Sequence, residues 1–488
     1  MEVQLPVSEL KTALSGLAKV VNKSSCLPVL QSIRIARSAD GSMQLQATDL
    51  DSLVSYRLNG TQPGEAGELL VPFEPFNKTV KGCAATAQVT LTRNGKGVIL
   101  QYPLAGRFVE QPLETLAPSE WPPAPTIEAT PILVDSGFKD AVGKAFDCCS
   151  EDSTRAALNG AWVDVTDPKA HYVMGTDGRH LFSANSFNLD LKESVLIPNV
   201  KFAQWSGFSE DGPWKLAAQP GKKKDDAGWL QLQSDHWTFI TRKPHHTIPN
   251  WRQVVPTDGT AKLTVIFSKA ATEFILELLP KLPGKDDHSR PITLEVMGGQ
   301  LKIIARERNS EHRTTIPVED VEVSGRGLAI SVNRDFVAKA LKFGLTVMEL
   351  TDELSPIVFS ASGKRLLAMP VHPDAPPAPP VEQAPTPQPE NPQPKEEPMP
   401  RTSATPPAEN AVETKPANRT APTNGEAPSS VRSVIDQIDG IKEALKAAVR
   451  QFGDVVDALR QVEKEKKAND KESEQVREKF RAIQSVTL

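Results

Sequence analysis

Few residues in this chain have the types and spacing that chemistry requires. His245 and His246 are adjacent, so a helix would turn their rings to different faces, and a shared metal between them is not expected. Asp49 and Asp177 each follow a threonine at matching places in the chain. That pattern suits a turn in which the aspartate accepts nearby backbone N–H groups, rather than an acid–base pair. The cysteines are Cys26, Cys83, Cys148 and Cys149, with no CxxC pair among them, so neither a zinc site nor a disulfide framework is indicated. No GxxxxGK[ST], GxGxxG, HExxH or GxSxG motif occurs. Enzymatic catalysis therefore has little support, and neither a cofactor nor a metal is called for.

The remaining chemistry is positive charge on helices. Lys11 and Lys19 fall on the first expected helix, Lys78 and Lys81 on the second, Lys139 and Lys144 on the third and Lys201 on the fourth. Lys269 begins the fifth, and Arg334, Lys339 and Lys342 occupy the sixth. If these helices share one face, that face is what a phosphate backbone needs, although the formal net charge is −5. Ordinary solvated helix surface would look the same.

What positions these helices is a threefold repeat. Ser8, Ser136 and Ser268 each follow a short apolar strand and open a helix-like segment. A second helix of each repeat follows Val71-Pro72-Phe73, Ile197-Pro198-Asn199 and Val332-Asn333-Arg334. Proline suits the first turn because its missing N–H would be unpaired there anyway. Alternating strands such as 43–47 and 300–304 lie between. Each repeat closes at a corner: Trp121-Pro122-Pro123, Ile248-Pro249-Asn250 and Met369-Pro370-Val371. The expected boundaries are 1–123, 124–256 and 257–372. The fold class is α+β, a curved or closed array of sheets with two helices per repeat on one face.

The chain is 488 residues long, 39% hydrophobic and 24% charged, which allows several cores. Composition breaks at Pro373: residues 373–428 hold 17 of the 42 prolines and almost no large apolar side chain, the signature of a disordered, semi-stiff linker. From 429 to 488 apolar residues recur at alternating spacings of three and four: Val431, Val434, Ile438, Ile441, Leu445, Ala448, Phe452, Val455, Leu459 and Val462. This is a coiled-coil seam, or an amphipathic helix that docks on another protein. The N-terminus MEVQLPVSEL lacks the pattern of a signal peptide, and no stretch of 18 apolar residues occurs, so no membrane partner and a cytoplasmic location are expected.

Residues 1–372 resemble the bacterial β sliding clamp, the processivity subunit of the DNA polymerase III holoenzyme. The resemblance rests on eight stretches in order: 27–30 (LPVL), 47–50 (ATDL), 155–160 (RAALNG), 175–181 (GTDGRHL), 197–199 (IPN), 248–252 (IPNWR), 350–355 (LTDELS) and 369–371 (MPV).

This resemblance implies a head-to-tail homodimeric ring, half of it from each chain, with antiparallel sheets outside and the helices inside, facing duplex DNA that is bound without regard to sequence. It implies phosphate contacts from Lys23, Lys78, Lys81, Lys139, Lys144, Arg155, Lys201, Arg334, Lys339 and Lys342. It also implies a pocket for short peptides of the replicative polymerase, clamp loader and repair proteins, walled by Leu158, Thr176, Gly178, Arg179, His180, Leu181, Pro249, Val254, Leu367, Met369, Pro370 and Val371. The ring interface would use Phe108 against Leu278 and Leu279.

The chain departs from the family at three places. Arg179 precedes His180, where the family has His then Arg, which would alter the pocket rim. Ala156 and Ala157 stand where some members have DNA-touching aromatics. The chain also runs on past Pro373, where a tail-to-tail coiled coil would add a further contact. The alternative function is a clamp-fold scaffold that no longer encircles DNA and recruits partners through that tail.

Overall fold

The computed structural model describes residues 1–371, apart from 96, 222–226, 245, 288, 308 and 309. The expected linker, the coiled-coil segment and His245 lie outside the described residues.

The first repeat runs β1 (Glu2–Pro6), α1 (Val7–Leu17), β2 (Ser32–Arg37), β3 (Ser42–Thr48), β4 (Ser52–Thr61), β5 (Gly67–Pro72), α2 (Phe73–Gly82), β6 (Gln88–Asn94), β7 (Gly97–Leu104) and β8 (Arg107–Glu114). The second runs β9 (Ile132–Val134), α3 (Ser136–Cys148), β10 (Gly160–Asp164), β11 (His171–Thr176), β12 (His180–Phe187), β13 (Val195–Pro198), α4 (Ser206–Ser209), β14 (Trp214–Gln219), β15 (Trp229–Gln233) and β16 (Trp237–Arg242). The third runs β17 (Leu263–Phe267), α5 (Lys269–Leu278), β18 (Pro291–Met297), β19 (Gln300–Arg306), β20 (Arg313–Val318), β21 (Val321–Gly325), β22 (Leu328–Asn333), α6 (Arg334–Lys342), β23 (Val347–Leu350), β24 (Ile357–Ala361) and β25 (Lys364–Ala368). The third repeat thus has one extra strand, β21.

Sheet order shows how the repeats join. Each repeat supplies one four-strand group of the type β4-β3-β2-β5 and another of the type β1-β6-β7-β8. Neighbouring repeats fuse these groups into continuous antiparallel sheets, through β4 with β16 and through β12 with β25. The register agrees at both junctions: Leu53 faces Ile240 in the first and Leu181 faces Leu367 in the second. Two strands of the same types, β8 and β20, remain at sheet edges.

The helices pack on one face of these sheets, where Leu10, Phe76, Phe138, Ile275 and Val337 join one buried core. Asp135, Ser268 and Asn333 cap α3, α5 and α6 by accepting backbone N–H groups, as their side chains favour. The first helix instead starts at Val7 after Pro6, one residue before the expected Ser8.

One expected helix is nearly absent. The segment after Pro198 makes only the four-residue α4, so Lys201 sits in a turn. The physical reason is aromatic packing. Phe202 and Phe208 are buried and lie 4.9 Å apart, and a Cβ on Gly207 would come within 2.3 Å of the Trp205 ring. These residues fill the space that a continuous helix would need.

Candidate partner pocket and nucleic-acid face

The turn between β11 and β12 is specified by its own side chains. Asp177 Oδ1 accepts the N–H of Arg179 at 2.8 Å and of His180 at 2.9 Å, while Thr176 Oγ1 donates to the His180 carbonyl at 2.6 Å. Gly178 occupies the left-handed region at φ +86°. The first repeat builds the same turn bond for bond from Thr48, Asp49 and Ser52, but with Leu50 at φ +80°. A non-glycine there carries strain of about 1–2 kcal/mol. The Met369 N–H donates to the Arg179 carbonyl at 3.0 Å, which fastens the end of the third repeat against the turn of the second.

On the outer sheet face, away from the helices, Leu181, Leu367, Val358, Met174, Leu196, Trp162 and Trp251 form a separate apolar cluster. Val254 and Met369 are exposed beside it. Leu158, Pro249, Pro370 and Val371 are half-buried, Thr176 is buried, and Gly178 and Arg179 are exposed. Leu181 and Leu367 are brought together directly as cross-strand neighbours. The Val371 N–H donates to the Ser331 carbonyl, which fixes the last described residue.

His180 does not join the rim. Successive strand residues point to opposite faces, so with Leu181 outward His180 points toward the helices. It is buried and stacks on Phe336 with ring centroids 4.2 Å apart. Its Nδ1 lies 2.9 Å from Asp177 Oδ1, and its Nε2 lies 2.8 Å from Lys339 Nζ. An ammonium only donates, so Nε2 accepts from Lys339 and Nδ1–H donates to Asp177. Burial pushes the Asp177 carboxyl up, but the hydrogen bonds it accepts from His180 and Arg179 outweigh it and hold the group below the usual carboxylate range.

Sequence reasoning missed the polar support under the pocket. Asp164 is fully buried on β10 and accepts from Trp251 Nε1 at 2.8 Å and Thr166 Oγ1 at 2.7 Å. Arg252 Nη1 also lies 2.8 Å from it, and the guanidinium rests over Trp251 and Tyr172. Burial raises this carboxyl, and the hydrogen bonds from Thr166 and Trp251 with the charge of Arg252 more than offset it. The signal was present in 248–252 (IPNWR), read there as a corner and not as an anchor. In the first repeat Ala36 replaces Asp164 by register, and Trp121 Nε1 is buried with no hydrogen-bond partner among the described residues.

The cations divide sharply. Lys78, Lys81, Lys201 and Lys342 are exposed, as are Lys19 and Lys269. Lys23 is exposed but pairs with Glu74 at 2.5 Å, and Arg155 donates to the Asp177 carbonyl at 2.8 Å. Four others are committed inside the fold. Lys139 donates to the Gly212 carbonyl at 2.7 Å. Lys144 pairs at 2.7 Å with Asp140, which also binds Lys364 of the next repeat at 2.6 Å. Lys339 donates to the Asp147 carbonyl as well as to His180. Arg334 is only 3% exposed, and its guanidinium donates to the carbonyls of Leu279, Leu282, Pro283 and Arg290. The expectation that Arg334 faces a phosphate is therefore corrected: it ties α6 to the loop 279–290.

The ring-interface residues divide in the same way. Phe108 is 72% exposed on the edge strand β8, and Leu278 is half-buried. Leu279, at 1% exposure, belongs to the core and cannot meet a second chain. Among the described residues no group of His, Cys, Asp and Glu could hold a metal ion, and no helix is long and apolar enough to cross a membrane.

No family model matches the chain. It is similar to the protein named beta sliding clamp of Salmonella typhimurium and that of Escherichia coli K12, at 24% identity over 364 residues in each case, covering 71% of this chain and 92% of each relative. The protein of the same name from Pseudomonas putida is 23% identical over 337 residues. Among solved structures, the DNA polymerase III subunit beta of Pseudomonas aeruginosa superposes with a TM-score of 0.65 at 18% identity, covering 76% of this chain and 100% of that one. The beta subunit of Thermotoga maritima superposes with a TM-score of 0.63 at 20% identity, covering 76% of this chain and 99% of that one. The described residues have the fold of these proteins.

Proposed function

We propose that this chain is a DNA sliding clamp: a ring-forming, non-catalytic processivity factor of a replicative DNA polymerase. It encircles duplex DNA and tethers the polymerase, clamp loader and repair proteins through peptides bound beside Leu181 and Leu367. The relatives of the same name and the shared fold support this reading.

The observation that carries it is the pair of unpaired edges. Inside the chain, a β4-type strand meets a β8-type strand at both junctions with one register. The remaining β4-type strand is β20 and the remaining β8-type strand is β8 itself. An exposed sheet edge is a template for another strand. Carrying the register of Phe239 on Val54 and Trp237 on Tyr56 to the open ends sets Val109 of one copy opposite Ile316 of the next, and Gln111 opposite Thr314. Two copies joined head to tail leave no free edge of either type. A ring of six repeats then holds DNA by enclosure, so phosphate contacts from exposed lysines such as Lys78, Lys81 and Lys342 need only be weak and independent of sequence.

A second reading, the clamp-fold scaffold that does not encircle DNA, is favoured by one observation: four of the ten cations expected at DNA are committed inside the fold, and two more, Lys23 and Arg155, also hold protein partners. Retention on circular DNA separates the two readings. A loaded clamp stays on nicked circular DNA and is released when the circle is cut. Equal retention on both forms, or failure to be retained on either, contradicts encirclement.

A further inference from the structure

Past the apolar wall, the outer face of the same strands turns polar. Two residues along each strand, Leu181 gives way to Ser183 on β12, Leu367 to Arg365 on β25 and Val358 to Ser360 on β24. A cavity of about 550 Å³ opens there, bordered by Tyr172, Trp251, Arg252 and these polar residues. Ser183 is only 4% exposed, yet it lines the cavity and its hydroxyl has no hydrogen-bond partner among the described residues. Arg365 spends one N–H on Asp258 at 2.8 Å, and that carboxylate is 82% exposed. Such a surface pair contributes little and exchanges readily for another carboxylate. Arg252 is held in place by Asp164 and the two rings, which fixes a second guanidinium at the border.

We propose that this cavity receives an acidic side chain of the partner peptide whose apolar anchor sits against Leu181 and Leu367, with the carboxylate meeting Arg365 and the Ser183 hydroxyl. The proposal rests on the peptide-pocket reading above and deepens it. Two strand residues span about 6.6–6.8 Å. An extended ligand that follows the strands therefore places its acid about two to four residues from its aliphatic anchor. The ligand carboxylate displaces Asp258 from Arg365, so Asp258 acts as an internal competitor.

The test is selection of binders from a random extended-peptide library on the intact protein. The expected binders carry aliphatic residues with Asp or Glu two to four positions away. They weaken about tenfold on Arg365→Gln or when that acid is changed to its amide, and the two changes together cost little more than either alone. Asp258→Asn strengthens binding. Binders that have aliphatic anchors but no acidic preference, and that are indifferent to Arg365→Gln, overturn the cavity assignment and leave the pocket standing. Binders indifferent to Val254→Asp and Met369→Asp overturn the pocket reading itself. A photo-crosslinker at Ser360 that captures residues 373–428 of the same chain assigns the cavity to the tail and overturns the partner assignment.

Discussion

Ile316 on β20 is the sharpest place to perturb ring closure. It is half-buried against the core and, by the repeat register, faces Val109 of a second copy. Ile316→Lys removes about 2 kcal/mol of apolar burial at each junction between copies. A closed dimer has two such junctions, so the assembled ring loses about 4 kcal/mol. At about 1.4 kcal/mol per decade, the dissociation constant rises about a thousandfold. Sedimentation at several concentrations reads this directly. Thermal melting of the variant is the control for folding, and Ser324→Lys on the extra strand β21 is the control for charge, because that strand has no counterpart in the junction scheme. A dissociation constant within roughly threefold of the parent, with Ser324→Lys behaving the same way, would refute the pairing.

Further predictions follow from the divided cations and the buried carboxylates. Changing Lys78, Lys81 and Lys342 to Glu should lower the slope of log affinity against log salt on duplex DNA by about 2–3, because each lost phosphate contact removes about 0.9. Arg334→Gln should leave that slope unchanged and instead cost at least about 3 kcal/mol in urea unfolding, since it strands several buried carbonyls. Asp164 and Asp177 both have depressed carboxyl pKa values in the fold. Their contribution is fully present above the unfolded carboxylate value near about 4 and is lost as pH falls through the folded values. Asp164→Asn should therefore flatten the acid limb of the stability curve and lower the neutral plateau by about 2 kcal/mol, read by urea titration across pH. A peptide of residues 430–465 should be helical with concentration-dependent melting; melting independent of concentration would mark a single helix awaiting another partner.

The legible parts of the sequence were those in which a few neighbouring residues decide the structure. The Thr-Asp turns at Asp49 and Asp177 form as their side chains dictate, and α5 and α6 open at Ser268 and Asn333, where the repeat placed helix starts. The parts that could not be read depend on distant partners. Arg334 looks like a helix-face cation until the loop 279–290, some fifty residues earlier, supplies carbonyls for it. His180 looks like a rim residue until strand parity turns it inward onto Phe336 and Lys339. The helix expected after Pro198 gave way to aromatic packing around Trp205, which no local propensity encodes. Trp251 and Arg252 were visible as a motif, but their anchoring role depends on Asp164, 87 residues away from Trp251.

Ring closure through β8 and β20 is tested most directly by oxidation of a chain carrying Val109→Cys and Ile316→Cys, with Cys26→Ser to remove the exposed native thiol. The account predicts a covalent closed dimer with twice the 53.1 kDa mass of one chain, and no such product when the second cysteine is moved one residue along, to Pro317. Open-ended polymers, an uncross-linked chain, or equal cross-linking at Pro317 would contradict it.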